Sequence, residues 1–131
     1  MTAFVDTNIL VRHLTGDPPD QAARATRLIA SGVELLLPDL IVAECAYVLE
    51  SFYRTPRPQV ATALRAIVGF GSIKVIDEEL LLRAVEVYEV ERLDFADAYL
   101  VACAETTGVG VIASFDCSID RVSSVRREEP A

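Results

Sequence analysis

Side chains that bind zinc are scarce in this sequence. It has one histidine, His13, and no CxxC pair, because Cys45, Cys103 and Cys117 are far apart. Structural zinc sites are built from closely spaced Cys and His ligands, so a site of this kind is not expected. Separated thiols are typical of proteins in a reducing compartment, and we expect a cytoplasmic location.

Positive charge is scarce as well. The chain has 12 Lys and Arg residues against 20 Asp and Glu residues, a formal net charge of −8, and Lys74 is its only lysine. Binding of nucleic acid through bulk electrostatics needs cations that replace phosphate counterions, so this mode is not expected. A nucleic-acid substrate would have to be held in another way, and arginine forks suit phosphate groups. Candidate phosphate contacts are Arg12, Arg54, Arg57 and Arg121, although surface solvation is the simpler interpretation of each.

Long hydrophobic runs, repeats and linkers are absent. The apolar stretch near the start is interrupted by Asp6 and Arg12, which predicts neither a secretory leader nor a membrane span. With 131 residues, of which 52% are hydrophobic, the chain is long enough to bury the core of one ordinary domain. We therefore predict a single domain over residues 1–131, with residues 127–131 as a frayed tail.

Short apolar runs alternate with segments of helical spacing. Four runs have the length of strands, at residues 3–5, 35–37, 73–76 and 109–113, and a weaker one lies near residues 122–125. The segments between them have helical periodicity, with proline or acidic residues near several starts and glycine after several ends. This alternation predicts an α/β fold, a three-layer sandwich in which helices cover both faces of a mostly parallel central sheet of about four or five strands.

Four acidic residues map to one rim of that sheet. Asp6 ends the first predicted strand, Asp116 follows the fourth, and Glu44 and Asp97 lie on neighbouring helices. Ligand sites of parallel sheets lie at this rim, where two carboxylates about 4 Å apart would repel by about 4 kcal/mol at an effective dielectric near 20. A divalent cation removes this repulsion, and oxygen ligands favour Mg²⁺ or Mn²⁺. Such a centre supports metal-assisted hydrolysis of a phosphodiester.

Each acid also has a simpler interpretation. Asp94 and Asp97 form the D-x-x-D pattern of a capping box, and we assign Asp94 to capping. Asp97 could be only an acid favoured by the helix dipole, and Asp6 and Asp116 could be turn residues. The convergence of the set, and no single member of it, favours a metal centre.

The segments that carry these acids resemble those of PIN domains, and specifically of the VapC-type toxins of toxin–antitoxin pairs. The resemblance rests on FVDTNIL (4–10), AEC (43–45), DFADAYLVACA (94–104) and IASFD (112–116). It implies a PIN-like fold and a Mg²⁺-dependent endoribonuclease, with Asp6 and Asp97 as the closest metal ligands. The quartet implied for catalysis and metal binding is Asp6, Glu44, Asp97 and Asp116.

The resemblance also implies supporting roles for small polar residues. Asn8 and Ser114 stand where the family places small polar side chains that orient a carboxylate or a water molecule. Ser114 replaces the more usual threonine, which keeps the hydroxyl group. Thr7 and Asn8 begin the helix after the first strand, and their side chains are expected to cap it.

An RNA substrate, a homodimer and a cognate antitoxin that covers the active site are further implications of the resemblance. An acidic surface suits a basic partner segment. Apolar side chains on the early helices are candidates for that contact, although we assign most of them to the core. They are Ile9, Leu10, Leu28, Tyr47, Leu49 and Phe52.

Other protein classes share part of the pattern. Phosphoaspartyl phosphatases need a second acid two residues after Asp6, where this chain has Asn8. Response-regulator receiver domains need a lysine after the last strand, whereas Lys74 begins an earlier one. A catalytically silent PIN scaffold is disfavoured because acids occupy all four positions. A solitary PIN nuclease that processes RNA stays open as an alternative to a toxin.

Overall fold

The computed structural model describes residues 1–131. By its internal contacts the chain divides into two compact units, Met1–Glu78 and Glu79–Ala131, which are described separately. The expectation of one domain over the whole chain stays a prediction. Both units combine helices with parallel strands, which confirms the predicted α/β class.

The two units differ in size and in the number of strands. The first unit contains, in order, β1 (Thr2–Phe4), α1 (Thr7–Thr15), α2 (Pro19–Ala30), β2 (Glu34–Leu36), α3 (Asp39–Ser51), α4 (Arg57–Val68) and β3 (Ile73–Lys74). Helix α5 (Glu78–Val90) begins at the boundary. The second unit continues with α6 (Phe95–Thr106), β4 (Val111–Ala113), a 3₁₀ helix (Cys117–Arg121) and β5 (Arg126–Glu128).

Strand β2 lies in the middle of the three-stranded sheet of the first unit. Both neighbours pair with it in parallel, with Ala3 opposite Leu35 and Leu35 opposite Ile73. Parallel neighbours require crossover connections, which the helix pairs α1–α2 and α3–α4 provide. The carboxyl ends of β1 and β2 therefore meet at one edge of the sheet, where the chain enters α1 and α3.

The core of the first unit forms between this sheet and the apolar faces of its helices. Leu10 of α1 and Leu64 of α4 have no exposed surface. Two of the apolar residues considered as a partner surface, Leu10 and Leu49, are thus core residues. Tyr47 and Phe52 are 69% and 74% exposed, so these two are free for contact with another molecule.

Proline and glycine set several helix ends as the sequence indicates. Helix α1 stops at Gly16, whose φ of 72° is left-handed and whose N–H bonds to the carbonyl of Arg12 at 2.8 Å, a common helix ending. Aspartate is a favoured N-cap residue, but Asp39 does not cap α3. Pro38 occupies the N-cap position in an extended conformation, so Asp39 is already the first helical residue.

The second unit contains a separate two-stranded parallel sheet, with Ile112 of β4 opposite Arg127 of β5. The five strands therefore form two ladders, where the sequence predicted one central sheet. The last strand is Arg126–Glu128, not the expected stretch near residues 122–125, and it corrects the interpretation of residues 127 and 128 as a frayed tail. Val122 is buried without joining a strand.

Arg127 explains why this charged segment is ordered. Its guanidinium donates to both carboxylate oxygens of Asp120, at 3.1 and 3.2 Å, and to the carbonyl of Ser114 at 3.0 Å. The side chain is only 14% exposed. These bonds connect β5 to the 3₁₀ helix and to the loop after β4. The strand is therefore held by hydrogen bonds of the Arg127 guanidinium, where most strands are held by apolar side chains.

Helices α5 and α6 supply the remaining core of the second unit. Leu81, Val85 and Tyr88 of α5 are fully buried. A bidentate pair joins the two helices, in which Arg83 donates to the carboxylate of Glu105 at 2.7 and 2.8 Å. None of the helices in either unit has the length and apolar character needed to cross a membrane.

The two arginines of β5 offer a matched test of this description. Arg127→Met should lower the free energy of unfolding by about 1–3 kcal/mol, because partly buried bonds to Asp120 and Ser114 are lost while the apolar stem is kept. Arg126→Met should change it by less than about 0.5 kcal/mol, because the Arg126 side chain is 69% exposed and exposed ion pairs contribute little. Urea denaturation measures both values; equal losses would contradict the assigned role of Arg127.

Candidate active site

Asp6 lies where the chain leaves β1 and enters α1. Its backbone is extended, with φ −89° and ψ 156°, and its Oδ1 accepts a hydrogen bond from the N–H of Thr7 at 2.8 Å. Asp6 is therefore the N-cap of α1, a position where a carboxylate also interacts favourably with the helix dipole. No hydrogen bond engages its second oxygen, Oδ2, and the residue is exposed.

Glu44 of α3 lies in the same cleft as Asp6. The cleft has a volume of about 410 Å³, and Asn8 and Arg12 of α1 line it as well. Parallel pairing of β1 and β2 brings the start of α1 and the start of α3 to one edge of the sheet, which explains how two acids distant in sequence meet. The structure thus brings together four of the site residues predicted from the sequence, Asp6, Thr7, Asn8 and Glu44, together with the candidate phosphate contact Arg12.

The negative charges of Glu44 and Asp6 affect the pKa of the neighbouring Cys45 thiol. Cys45 has no exposed surface, and its pKa is raised to about 12, first by burial and then by the negative charges of Glu44 and Asp6. Both effects disfavour a thiolate. Cys45 is therefore an inert core residue, and it does not supply a nucleophile or a metal ligand to the cleft.

The two residues after Asp6 have different roles from those predicted. Thr7 is 5% exposed, and its Oγ1 is buried without a hydrogen-bond partner. The expectation that the side chains of Thr7 and Asn8 cap α1 is wrong, because the Asp6 carboxylate already takes the first free N–H of the helix. Asn8 is exposed and lines the cleft, as the resemblance implies for this position.

Two residues of the cleft were missed in the sequence. Asp17 and Tyr53 line it, and the Tyr53 hydroxyl donates to Asp17 at 3.0 Å. Asp17 precedes two prolines, which indicated only a helix start, and Tyr53 lies beyond the end of α3. No local pattern signals either of them, because the α1–α2 turn and the end of α3 meet only in the folded unit.

Asp97 and Asp116 form the second pair of acids, in the second unit. Asp97 lies in the first turn of α6, and Asp116 precedes the 3₁₀ helix after β4. Each carboxyl group alters the pKa of the other, so the two interact within this unit. Burial, followed by the charge of Asp116, raises the pKa of Asp97.

The loop after β4 keeps Asp116 ionised. The Ser118 N–H donates to the Asp116 carboxylate at 2.9 Å. This bond first, and then interactions with the Ser118 side chain and with Asp97 and the positive charge of Arg121, lower the pKa of Asp116. Opposite pKa shifts in two neighbouring carboxyl groups are typical of a functional pair.

Ser114 shapes the same loop. Its Oγ accepts a hydrogen bond from the backbone N–H of Asp116 at 2.9 Å, and its carbonyl accepts from Arg127. The hydroxyl at this position therefore acts by fixing the backbone that carries Asp116. Arg127 was missed as a supporting residue, since its position in a charged C-terminal segment gave no sign of partial burial.

The capping box expected at the start of α6 does not form. Asp94 occupies the N-cap position, but its side chain makes no capping hydrogen bond. Its negative charge instead contributes to the raised pKa of Asp97. Asp94 and Asp116 therefore both act electrostatically on Asp97 at the start of α6.

The donor set fits a hard divalent ion. All four predicted ligands are carboxylates, the ligands that Mg²⁺ and Mn²⁺ prefer. No group of three or more His, Cys, Asp or Glu side chains in the structure is placed to bind a metal ion, so the four carboxylates remain a predicted set of ligands. Burial and the negative charge of Asp116 raise the pKa of Asp97, and a bound cation would offset that charge.

Comparison with known proteins places the chain in a family. The model of the PIN domain matches residues 3–125, nearly the whole length. The chain belongs to the PIN domain family. Members of this family are generally nucleases, so the site belongs to a hydrolase scaffold. No curated protein matches this PIN domain.

A solved structure was also found for this PIN domain. It is the VapBC2 complex of Rickettsia felis bound to a DNA fragment from its promoter, at 15% identity, with 98% of each chain covered and a TM-score of 0.41. The α/β arrangement of helices and parallel strands described above is that of the PIN fold expected from the sequence.

The raised pKa of Asp97 predicts that its ionised carboxylate destabilises the metal-free protein. In EDTA at neutral pH, Asp97→Asn should raise the free energy of unfolding by about 1 kcal/mol, or the Tm by roughly 2–8 °C, because one of two neighbouring charges is removed. A raised pKa means that the destabilisation is present above the folded-state pKa and fades as pH falls below the ordinary carboxyl range. The stability difference should therefore vanish in acid.

Asp94→Asn is the matched control for this measurement. It removes an equal charge from the same helix start, but its side chain makes no capping bond, so a smaller gain is expected. Thermal unfolding followed by circular dichroism across the pH range compares the variants. Equal stabilisation by the two substitutions would contradict the prediction that the Asp97 carboxylate destabilises the metal-free protein. A gain from Asp97→Asn that persists in acid would contradict it as well.

Proposed function

We propose that this PIN domain is a Mg²⁺-dependent endoribonuclease, the toxin of a VapC-type toxin–antitoxin pair. The observation that carries the proposal is the pair of interacting carboxyl groups on Asp97 and Asp116, in which burial and the negative charge of Asp116 raise the pKa of Asp97. The motifs that carry Asp6, Glu44, Asp97 and Asp116 support the assignment of these four as catalytic and metal-binding residues.

Each carboxylate has a stated part in this proposal. Asp6 uses Oδ1 to cap α1 and leaves Oδ2 available for a ligand. Asp97 and Asp116 would hold the cation as carboxylates, and the hydrogen bond from the Ser118 N–H favours the ionised form of Asp116. A bound divalent ion supplies an activated water and neutralises charge on the phosphate. Asn8 and Ser114 orient the carboxylates beside them.

The proposed partners follow from the same resemblance. They are an RNA substrate, a cognate antitoxin and a second copy of the chain in a homodimer in the cytoplasm. The exposed rings of Tyr47 and Phe52 are among the apolar groups of the first unit that a partner could cover, and the net charge of −8 suits a basic antitoxin segment. Copurification with the product of an adjacent antitoxin gene separates a toxin from a solitary processing nuclease.

The nuclease proposal predicts a loss of cleavage when single carboxylates are neutralised. Asp6→Asn and Asp97→Asn should each lower the rate of RNA cleavage in Mg²⁺ by at least about 100-fold, since metal binding contributes several kcal/mol to the transition state. Gel analysis of a labelled RNA transcript measures the rate, and EDTA should abolish it.

Asp20→Asn is the control, because Asp20 is an exposed acid in the first turn of α2 that does not line the cleft. Its rate should stay within about twofold of the unmodified protein, as for most surface substitutions. A wild-type protein that cleaves no RNA in Mg²⁺ or Mn²⁺ would refute the proposal, as would full activity of Asp97→Asn.

A further inference from the structure

A second groove lies between α1 and α2, next to the acidic cleft. Its volume is about 520 Å³. Two residues of α1, Asn8 and Arg12, line both the groove and the cleft that holds Asp6 and Glu44. A chain that occupied the groove would therefore lead directly into the cleft.

The charge of the groove is opposite to that of the protein. Arg12 and Arg24 line it, and no carboxylate does, although the chain has 20 acidic residues against 12 basic ones. The three acids of the neighbouring cleft, Asp6, Asp17 and Glu44, do not reach it. The groove is thus a local positive site on an acidic molecule, and it attracts anionic groups.

Arg12 is held in position without losing its charge. Its Nε donates to the side chain of Gln21 on α2, and its Nη1 donates to the carbonyl of Asn8 at 3.4 Å. Both partners are neutral, so neither forms an ion pair with the guanidinium. Nε and Nη1 are engaged in these bonds, which leaves Nη2 available to donate to a phosphate.

Arg24 is exposed and makes no hydrogen bond or ion pair. Other arginines of the chain behave differently: Arg83 pairs with Glu105, and Arg127 pairs with Asp120. Between Arg12 and Arg24 the groove has an apolar floor that includes Ile9 and Leu28, both partly buried. Two cationic side chains with apolar side chains between them suit a single-stranded nucleic acid, in which phosphates alternate with sugars and bases.

We infer that this groove binds the sugar–phosphate backbone of a single-stranded RNA and guides it into the acidic cleft. The inference rests on the proposed ribonuclease function and adds the path of the substrate to it. A peptide is the less suitable occupant, because the groove offers two arginines and few hydrogen-bond acceptors. The groove also answers how an acidic protein holds an anionic substrate: through two placed arginines, and without a positive net charge.

Arg24→Gln is the principal test, because this side chain has no contact whose loss could disturb the fold. Binding is measured by fluorescence anisotropy of a short single-stranded RNA of mixed sequence, in Mg²⁺ and in an Asp97→Asn background that prevents cleavage. The Kd should rise about 5- to 10-fold, and the slope of log K against log salt should fall by about 0.7, the value for one contact to a single-stranded phosphate.

Arg27→Gln is the matched control. Arg27 is exposed on the same helix, carries the same charge and does not line the groove, so its Kd should change less than about twofold. Adding Arg12→Gln to Arg24→Gln should lower the salt slope by about 1.4 in total. Circular dichroism confirms that the double variant, which loses the bond to Gln21, is folded.

The outcomes separate this inference from the proposed function. Equal changes in Kd for Arg24→Gln and Arg27→Gln, or an unchanged Kd for both, would overturn the inference that the groove binds RNA. The same results are expected if the groove instead holds a protein segment. In the active protein, Arg24→Gln should raise KM for RNA cleavage and leave kcat within about twofold. A wild-type protein that cleaves no RNA refutes the ribonuclease, whereas cleavage with a KM indifferent to Arg24 refutes only the groove.

Discussion

Parallel strand pairing is the constraint that places the acids in both units. In the first unit, β1 and β2 run side by side in the same direction, so the loops that follow them open at one edge, and Asp6 and Glu44 share a cleft there. In the second unit, α6 precedes β4 and packs on it. A helix that leads back into a strand runs against that strand, so its start, with Asp97, lies beside the end of β4, where Asp116 follows.

The cost of this arrangement is electrostatic. Burial and the negative charges of Asp116 and Asp94 raise the pKa of Asp97, so the ionised form of Asp97 is disfavoured in the metal-free protein. Neighbouring hydrogen-bond donors partly offset the repulsion between these carboxylates. The Ser118 N–H stabilises the ionised form of Asp116, and Ser114 and Arg127 hold the loop that carries it. Side chains that looked peripheral in the sequence therefore support the acids.

The same reasoning explains how net charge and local charge can differ in sign. A formal charge of −8 describes the molecule at a distance, but a phosphate in contact responds to the groups within a few ångströms of it, because solvent and salt screen the rest. Arg12 and Arg24 have no acidic partner in the groove between α1 and α2. Arginines that pair with carboxylates, such as Arg83 and Arg127, stabilise the fold and leave no charge for a ligand.

Much of the fold is readable in the sequence because it depends on local chemistry. Apolar runs alternating with helical periods predict the α/β class, and the proline and glycine positions locate several helix ends to within a few residues. The positions of Asp6 and Asp116 at strand ends follow from the same pattern. The motif resemblance pointed to the PIN family, which the match over residues 3–125 confirms. Each of these features is encoded within a few consecutive residues.

Tertiary structure alone decided the features that depend on contacts between distant segments. Asp6, and not Thr7, caps α1, because the fold buries the Thr7 hydroxyl. A charged segment becomes β5, because Asp120 and Ser114 are in place to receive Arg127. Asp17, between α1 and α2, and Tyr53, just after α3, both line the cleft although they are distant in the sequence. A sequence pattern records what each residue prefers, but partners and burial exist only after the chain has folded, and they decide which preference is met.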